Sequence, residues 1–394
     1  MAKDIQTDIV IIGAGLTGIS MACALAQNNV GVTIIESSDI KKIRSIKSDG
    51  RTCAISHGSS KIFEKMDIWK NMSKNSQAIL DIRVTDGESP LFVHYDHKMV
   101  GDEPMGYIIE NYHIRDALFK KAEKYNNLKI LDKAKYKSIE FNQNNVDINL
   151  ESGQKITSKL LIGADGRNSN VRKIAGIKNS SYDYKQTGIV CTVKHELNHN
   201  GVAIEKFLPA GPFAILPMHG GHHSSLVWTE PTELAPIYMK MSDKEFLEQI
   251  QIRFSGYLGK LELTGDRFSY PLALNLAKHY TANRLALIGD AAHGMHPIAG
   301  QGFNLGIRDI PVLTKLINEA KKTGGDLGSN YVLKEYEEMR KLDSISLLAT
   351  THALTRLFSN NIAPIKHSRR IGLATVNKIK PLKKFFMKHA MGEF

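Results

Sequence analysis

The chain has 394 residues, enough for two or three domains around a substantial core, and that length excludes a lone small binding module. Hydrophobic residues make up 42% of it and charged residues 23%, the balance of an ordinary globular protein and not of a disordered chain or a disulfide scaffold. The net charge of +12 is lopsided, because residues 344–394 carry nine Lys and Arg against one acid, Glu393, which leaves only +4 for the rest.

In chain order, residues 5–12 are rich in Ile and Val, as expected of a strand buried on both faces of a parallel sheet. Gly13-Ala14-Gly15-Leu16-Thr17-Gly18 follows, and a helix is expected through Ala26. The uncharged run 9–26 is almost long enough to span a bilayer, but the glycines divide it into a short strand and a helix, so a transmembrane reading is rejected. A second strand, 32–35, closes a βαβ unit at Glu36. The GxGxxG spacing suits a dinucleotide: Gly13 allows the tight turn, Gly15 lets a pyrophosphate approach the backbone, and Gly18 lets helix and strand pack closely. Glu36 is placed to accept hydrogen bonds from a ribose hydroxyl and disfavours a 2′-phosphate, which points to FAD or NAD and away from NADP.

The segments 79–107 and 181–270 read differently, with alternating strands such as 188–194 and 224–229 between turn clusters, and they predict an antiparallel sheet. Residues 111–125 read as an amphipathic helix, 159–163 and 284–288 as buried strands, and about 302–321 as a helix that Pro311 should kink. From Ser344 onward helices are expected, interrupted near Pro364 and Pro381. The three cysteines, Cys23, Cys53 and Cys191, show no CxxC spacing, so neither a disulfide framework nor a zinc site is expected and a reducing compartment fits better. The first residues lack a basic stretch and a small-residue cleavage site, so no secretory signal is expected either.

Two further motifs bear on the nucleotide. Leu160 to Arg172 reads LLIGADGRNSNVR, and Arg284 to Asp309 reads RLALIGDAAHGMHPIAGQGFNLGIRD. With the first glycine loop, these resemble the class A flavoprotein monooxygenases. More of the chain resembles one branch, the ubiquinone-biosynthesis hydroxylases. The matching segments are Gly50 to Ser56 followed by Trp69, Glu110-Asn111 before Arg115-Asp116-Ala117-Leu118, Gly211 to Pro217 with Ser225 to Trp228, and Tyr270 to Leu274. The resemblance spans residues 5 to about 320.

That resemblance implies an α/β fold in which a Rossmann-like FAD-binding domain with a parallel sheet is interleaved with an antiparallel-sheet substrate domain and followed by a C-terminal helical region. The FAD-binding parts would be 1–78, 108–180 and 271–340, the substrate parts 79–107 and 181–270, and the basic helical region 341–394. The implied cofactor residues are Gly13, Gly15, Gly18, Glu36, Arg51, Arg115, Asp165, Gly166, Gly289, Asp290, Pro297, Gly300, Gln301, Gly302 and Asn304. Asp290 would accept hydrogen bonds from the ribityl hydroxyls, and Pro297, Gly300 and Gln301 would border the flavin ring, with no acid or base assigned to catalysis. The implied activity is aromatic-ring hydroxylation of a polyprenylated phenol or quinol through a flavin C4a-hydroperoxide, with O2 as oxidant and NAD(P)H or another transient reductant. Two alternatives stay open, a hydroxylase of a small soluble aromatic and a catalytically silent flavin-binding subunit of a quinone-biosynthesis assembly.

No metal site is expected. His293 and His296 lack HExxH spacing and read as packing or supporting residues, and His219, His222 and His223 as part of a polar turn. In 378–391, Ile379, Leu382, Phe385, Phe386 and His389 recur near helical spacing, with Lys380, Lys383, Lys384 and Lys388 mostly on another side. Such a helix suits an anionic membrane surface or a contact with other quinone-biosynthesis proteins, and equally a helix docked on the body; nucleic-acid binding is not expected. The expected location is cytoplasmic, peripheral at the inner face of the membrane if the tail binds there and not if it docks on the body.

Overall fold

The computed structural model describes residues 3–45, 50–295, 300–360 and 362–392. Its nucleotide-type sheet has strands in the order Thr281–Ala282, Leu285–Leu287, Lys155–Gly163, Ile5–Ile12, Val32–Ile35 and Leu128–Leu131, with Tyr136–Phe141 and Val146–Leu150 added beside Lys155–Gly163. Ile5–Ile12 pairs in parallel with both Lys155–Gly163 and Val32–Ile35. Its residues Ile9, Val10 and Ile11 are wholly buried, which is why the strand carries no polar alternation. The helix Leu16–Gln27 is buried from Gly18 through Ala26, wedged against the helices Asn111–Ala122 and Gln301–Lys322. Burial by neighbouring protein on all sides accounts for its apolar circumference. Among the described residues no helix is long and apolar enough to cross a membrane.

A second sheet of eight strands runs His293–Gly294, Leu261–Ala277, Asn179–His195, His223–Pro231, Gly211–Pro217, Val202–Leu208, Asp81–Asp86 and Phe92–Asp96. The expectation of an antiparallel sheet needs one correction, because Val202–Leu208 pairs in parallel with Asp81–Asp86. These two strands belong to separate passes of the chain, so no hairpin fixes their direction. The strands are also longer than expected, and His223 opens the strand His223–Pro231 instead of lying in the preceding turn. A small sheet of Thr52–Ser56, Gly106–Glu110 and Gln77–Ile79 lies between the two.

One face of the large sheet is covered by the helices Ala235–Lys240 and Asp243–Phe254, whose Phe246, Ile250 and Phe254 pack on Ile189, Phe213 and Trp228. The other face looks toward the C-terminal helices Asn330–Phe358, Ala363–Lys378 and Lys380–Met391. Phe358 stacks on Phe207 of the sheet at 4.1 Å between ring centroids. Arg369 and Arg370 each reach the buried Asp86 at 2.8 Å. In the last helix Met387 and Met391 are buried against Met105 and Ile108, with Lys383, while Phe385 is 63% exposed. The basic tail is therefore docked through part of its surface: Arg369 and Arg370 are engaged with Asp86 of the body, and the buried Lys383 donates to Asn377 Oδ1 of the preceding helix.

Candidate active site

The sequence motifs meet at the carboxyl ends of the parallel strands. Gly13 and Gly15 follow Ile5–Ile12, Glu36 follows Val32–Ile35, Asp165 and Gly166 follow Lys155–Gly163, and Gly289 and Asp290 follow Leu285–Leu287. This is the crevice that open α/β sheets offer to ligands. Gly13 has φ +104°, and a Cβ on Gly18 would lie 2.1 Å from the Gly13 carbonyl oxygen, so turn and helix touch too closely for any side chain. Thr17 brings the motifs together, for a Cβ on Gly289 or on Gly306 would sit 3.1 Å from it. Glu36 turns back toward the loop, where its Oε2 accepts from Ala14 N at 2.8 Å and its Oε1 from Ser38 N at 2.8 Å.

Gly300, at φ +62°, starts the helix Gln301–Lys322 against Ala54. Asn304 locks this turn to the neighbouring strand: its Oδ1 accepts from Ser56 N at 2.9 Å and its Nδ2 donates to Ala54 O at 2.8 Å. Gln301 Nε2 donates to Ala390 O at 3.2 Å and so ties the turn to the last helix. Arg51 precedes Thr52–Ser56 with its guanidinium 5.3 Å from the Tyr270 ring, and Arg115 lies one turn into Asn111–Ala122. Pro297 and His296 lie outside the described residues.

Behind the Gly289 turn is a buried ionic cluster centred on Asp309, a residue to which the sequence reading gave no role. His293 Nε2 lies 3.0 Å from Asp309 Oδ2, Gly289 N donates to that oxygen at 2.8 Å, and Arg340 Nε donates to Oδ1 at 2.7 Å. Burial raises the Asp309 carboxyl, but His293 and Arg340 outweigh it and hold the group below the usual carboxylate range. His293 thus supports the turn from behind. Among the described residues no three His, Cys, Asp or Glu side chains are placed to hold a metal.

From the Gly300 turn a cavity of about 680 Å³ extends between the large sheet and the C-terminal helices. Its size suits a small organic ligand, and its wall is mostly apolar, with Ile82, Val84, Ala203, Phe207, Ala214 and Leu216 on the sheet side. Thr52, Ala54, Gln301 and Asn304 line one end, and Leu354, Leu357 and Phe386 of the C-terminal helices line another part while also reaching the surface. Gln301 and Asn304 were marked as flavin-side residues, and Thr52, Ala54, Ala214 and Leu216 fall in matching segments, but nothing in the sequence marks the wall as a cavity, because an apolar cavity wall and an apolar core share the same period-two pattern.

Residues 6–348 match the FAD binding domain family model. Ubiquinone hydroxylase UbiL of Rhodospirillum rubrum is 44% identical over 99% of this chain and 91% of that protein. Ubiquinone hydroxylase UbiM of Neisseria meningitidis is 34% identical over 98% of this chain and 85% of that protein. The chain belongs to the ubiquinone-hydroxylase branch of the FAD-binding family. Human ubiquinone biosynthesis monooxygenase COQ6 is 32% identical over 99% of this chain and 93% of that one. The crystal structure of p-nitrophenol 4-monooxygenase PnpA from Pseudomonas putida DLL-E4 shares the fold, with a TM-score of 0.82, 17% identity and coverage of 100% of this chain and 99% of that one.

This member of the family is an FAD-dependent monooxygenase, and the strand-end residues fit the cofactor. The helices Leu16–Gln27 and Gln301–Lys322 begin at Gly15 and Gly300 with no side-chain cap, leaving backbone N–H groups for an anionic ligand. Among the described residues a Cβ on Gly15 or Gly166 would meet nothing within 4 Å, so the backbone there faces open space. Among the described residues the buried Asp165 Oδ1 has no hydrogen-bond partner, although its Oδ2 caps the Asn170 and Val171 amides. Asp290, just past the neighbouring strand Leu285–Leu287, is exposed.

Proposed function

We propose that this chain hydroxylates the aromatic ring of a polyprenylated phenol in ubiquinone biosynthesis, using FAD, O2 and a transient NAD(P)H. The observation that carries this reading is the cavity itself, mostly apolar, bounded at one end by the Gly300–Asn304 turn and reaching the surface between the C-terminal helices. A phenol ring would lie at the first end and its prenyl chain would follow the apolar wall outward.

When bound, the flavin supplies the redox chemistry, accepting two electrons from the reductant and passing one atom of O2 to the ring. The chain's own part is to hold and enclose. The amides at Gly13–Gly18 and Arg51 and Arg115 would meet the diphosphate, Asp290 the ribityl hydroxyls, Glu36 the adenosine ribose, and Asp165 and Gly166 the pyrophosphate side. Gly289, Gly300, Gln301, Gly302 and Asn304, with Pro297, would frame the ring system, and the apolar wall would exclude water during oxygen transfer. In this reading residues 1–78, 108–180 and 271–340 form the FAD-binding unit, 79–107 and 181–270 the substrate unit, and 341–394 the helical cover.

The cavity mouth also supports work at an anionic membrane surface, where a prenylated substrate resides. Phe385 and Ile371 are each 63% exposed, Leu357 and Phe386 reach the surface nearby, and Lys384 and Lys388 stay exposed on the last helix. Replacing Phe385 and Phe386 together by Ser should lower sedimentation with anionic liposomes at least about tenfold without loss of flavin. Expression in a host whose quinone hydroxylase is deleted tests the reaction itself. Rescue by wild type, with disappearance of a precursor lacking one ring oxygen, is the expected result; normal growth with the precursor still present would contradict it. Rescue by a variant unable to hold flavin would mark a catalytically silent subunit instead.

A further inference from the structure

Glu205 is an acid in the apolar floor of the cavity. In the strand Val202–Leu208 the side chains of Ile204 and Leu208 pack with the outer helices, and Lys206 on that same face is held by Glu88, Arg253 O and Ser255 Oγ. Alternation then turns Ala203, Glu205 and Phe207 to the cavity. The cross-strand partners of Glu205 are Val84 and Ala214, both cavity-lining and apolar. Among the described residues nothing offers the carboxyl a hydrogen bond or a countercharge, and its enclosure by the apolar floor pushes it up to about 7. It is half-open only because it looks into the cavity.

An uncompensated acid in such a wall costs stability, so a ligand group should take up its hydrogen bond. The other ionisable groups facing the cavity belong elsewhere. Arg369 is held by the buried Asp86, Tyr95 has its hydroxyl pushed up to about 12 by burial, and His389 stacks with Phe385 on the last helix. We infer that Glu205 is a catalytic residue that accepts the hydrogen bond, and then the proton, of the substrate's ring hydroxyl. The inference rests on the phenolic substrate proposed above.

In this step the phenol O–H bond breaks, its proton bonds to a Glu205 carboxylate oxygen, and the electron pair stays on the phenol oxygen. Electron density thereby rises at the ortho and para ring carbons, which makes the ring a better acceptor of an electrophilic oxygen atom. After the transfer Glu205 returns its proton to the same oxygen, and the proton displaced from the ring carbon leaves with the second oxygen atom of O2 as water. A carboxyl titrating close to neutrality is suited to give and take a proton under working conditions.

The test uses the FAD-loaded chain with farnesylphenol and its O-methyl ether as probes. For Glu205→Gln, kcat should fall about 100-fold or more with KM within about threefold, a typical loss for an acid–base group. The wild-type rate should decline below about pH 7, and that limb should be absent from the variant. In binding measured by tryptophan fluorescence, wild type should prefer the phenol to the ether about tenfold or more above neutrality, and Glu205→Leu should bind both alike. Glu205→Leu should also melt no lower than wild type, because leucine suits the apolar floor. Glu205→Gln with wild-type kcat and pH limb would overturn the inference, as would phenol preference retained in Glu205→Leu. Should neither variant fold, wild-type phenol preference that does not weaken below about pH 7 would overturn it equally. Failure of the wild type to hydroxylate farnesylphenol would overturn the proposed substrate and this inference together, whereas turnover unaffected at Glu205 would overturn this inference alone.

Discussion

The strand-end crevice and the apolar cavity adjoin at Gly300, yet only the first is written into the sequence as a motif. In the crevice the ligand would meet backbone, so side chains must be absent at fixed points: Gly18 touches the Gly13 carbonyl, and Gly300 would drive a Cβ to 2.7 Å from Ala54 Cβ. Such constraints specify residue type and spacing together. The cavity instead needs only apolar side chains on alternate positions of several strands, a demand that many sequences satisfy. Recognition by backbone leaves a signature, and recognition by an apolar wall leaves almost none.

That contrast can be broken or sharpened by substitution, beginning with the buried cluster that joins the crevice to the helical cover. Asp309→Ala would leave the buried His293 without its acid and Arg340 with Asp343 alone, in a site where Asp309 is 0% exposed, a loss of about 3–5 kcal/mol in denaturant unfolding. Because the Asp309 carboxyl is held below its ordinary value, its contribution is present at neutral pH and is lost as pH falls into and below the normal carboxylate range; acid titration of wild type against the variant should show the two curves converge. Gly18→Ala comes next, with overpacking worth about 1–3 kcal/mol and FAD content well below stoichiometric on purification. Asp290→Ala separates binding from folding: an exposed side chain should leave the melting temperature unchanged while FAD affinity falls about tenfold or more. The smallest effect belongs to the cavity wall, where Leu216→Met should cost less than about 1.5 kcal/mol and leave bound FAD unchanged. A wall as intolerant as the glycine turns would refute the contrast.

Particular residues show how far the sequence could be read. The strand Ile5–Ile12, the turn at Gly13–Gly18 and the strand ends at Asp165 and Asp290 were all legible, since each motif sits where a buried apolar strand must stop. The parallel pairing of Val202–Leu208 with Asp81–Asp86 was not, because strand direction between distant segments is a property of the chain path. Asp309 was visible only as the end of a motif, its partner Arg340 lying 31 residues away on another helix. Glu205 stands next to Lys206, and two adjacent charges in a strand read as solvent-facing positions, whereas both are enclosed here, one toward the cavity and one toward Glu88. For the tail, helical spacing gave the helix, but its docked side runs through Lys383, Met387 and Met391.

In the proposed reaction the crevice and the cavity act together, one holding FAD and the other a prenylated phenol. The direct test is to supply the purified, FAD-loaded chain with NADH, farnesylphenol and isotope-labelled dioxygen, and to weigh the product by mass spectrometry. A product carrying one labelled oxygen atom on the aromatic ring is expected; NADH oxidation that yields only hydrogen peroxide, with the phenol returned unchanged, would overturn the proposed reaction.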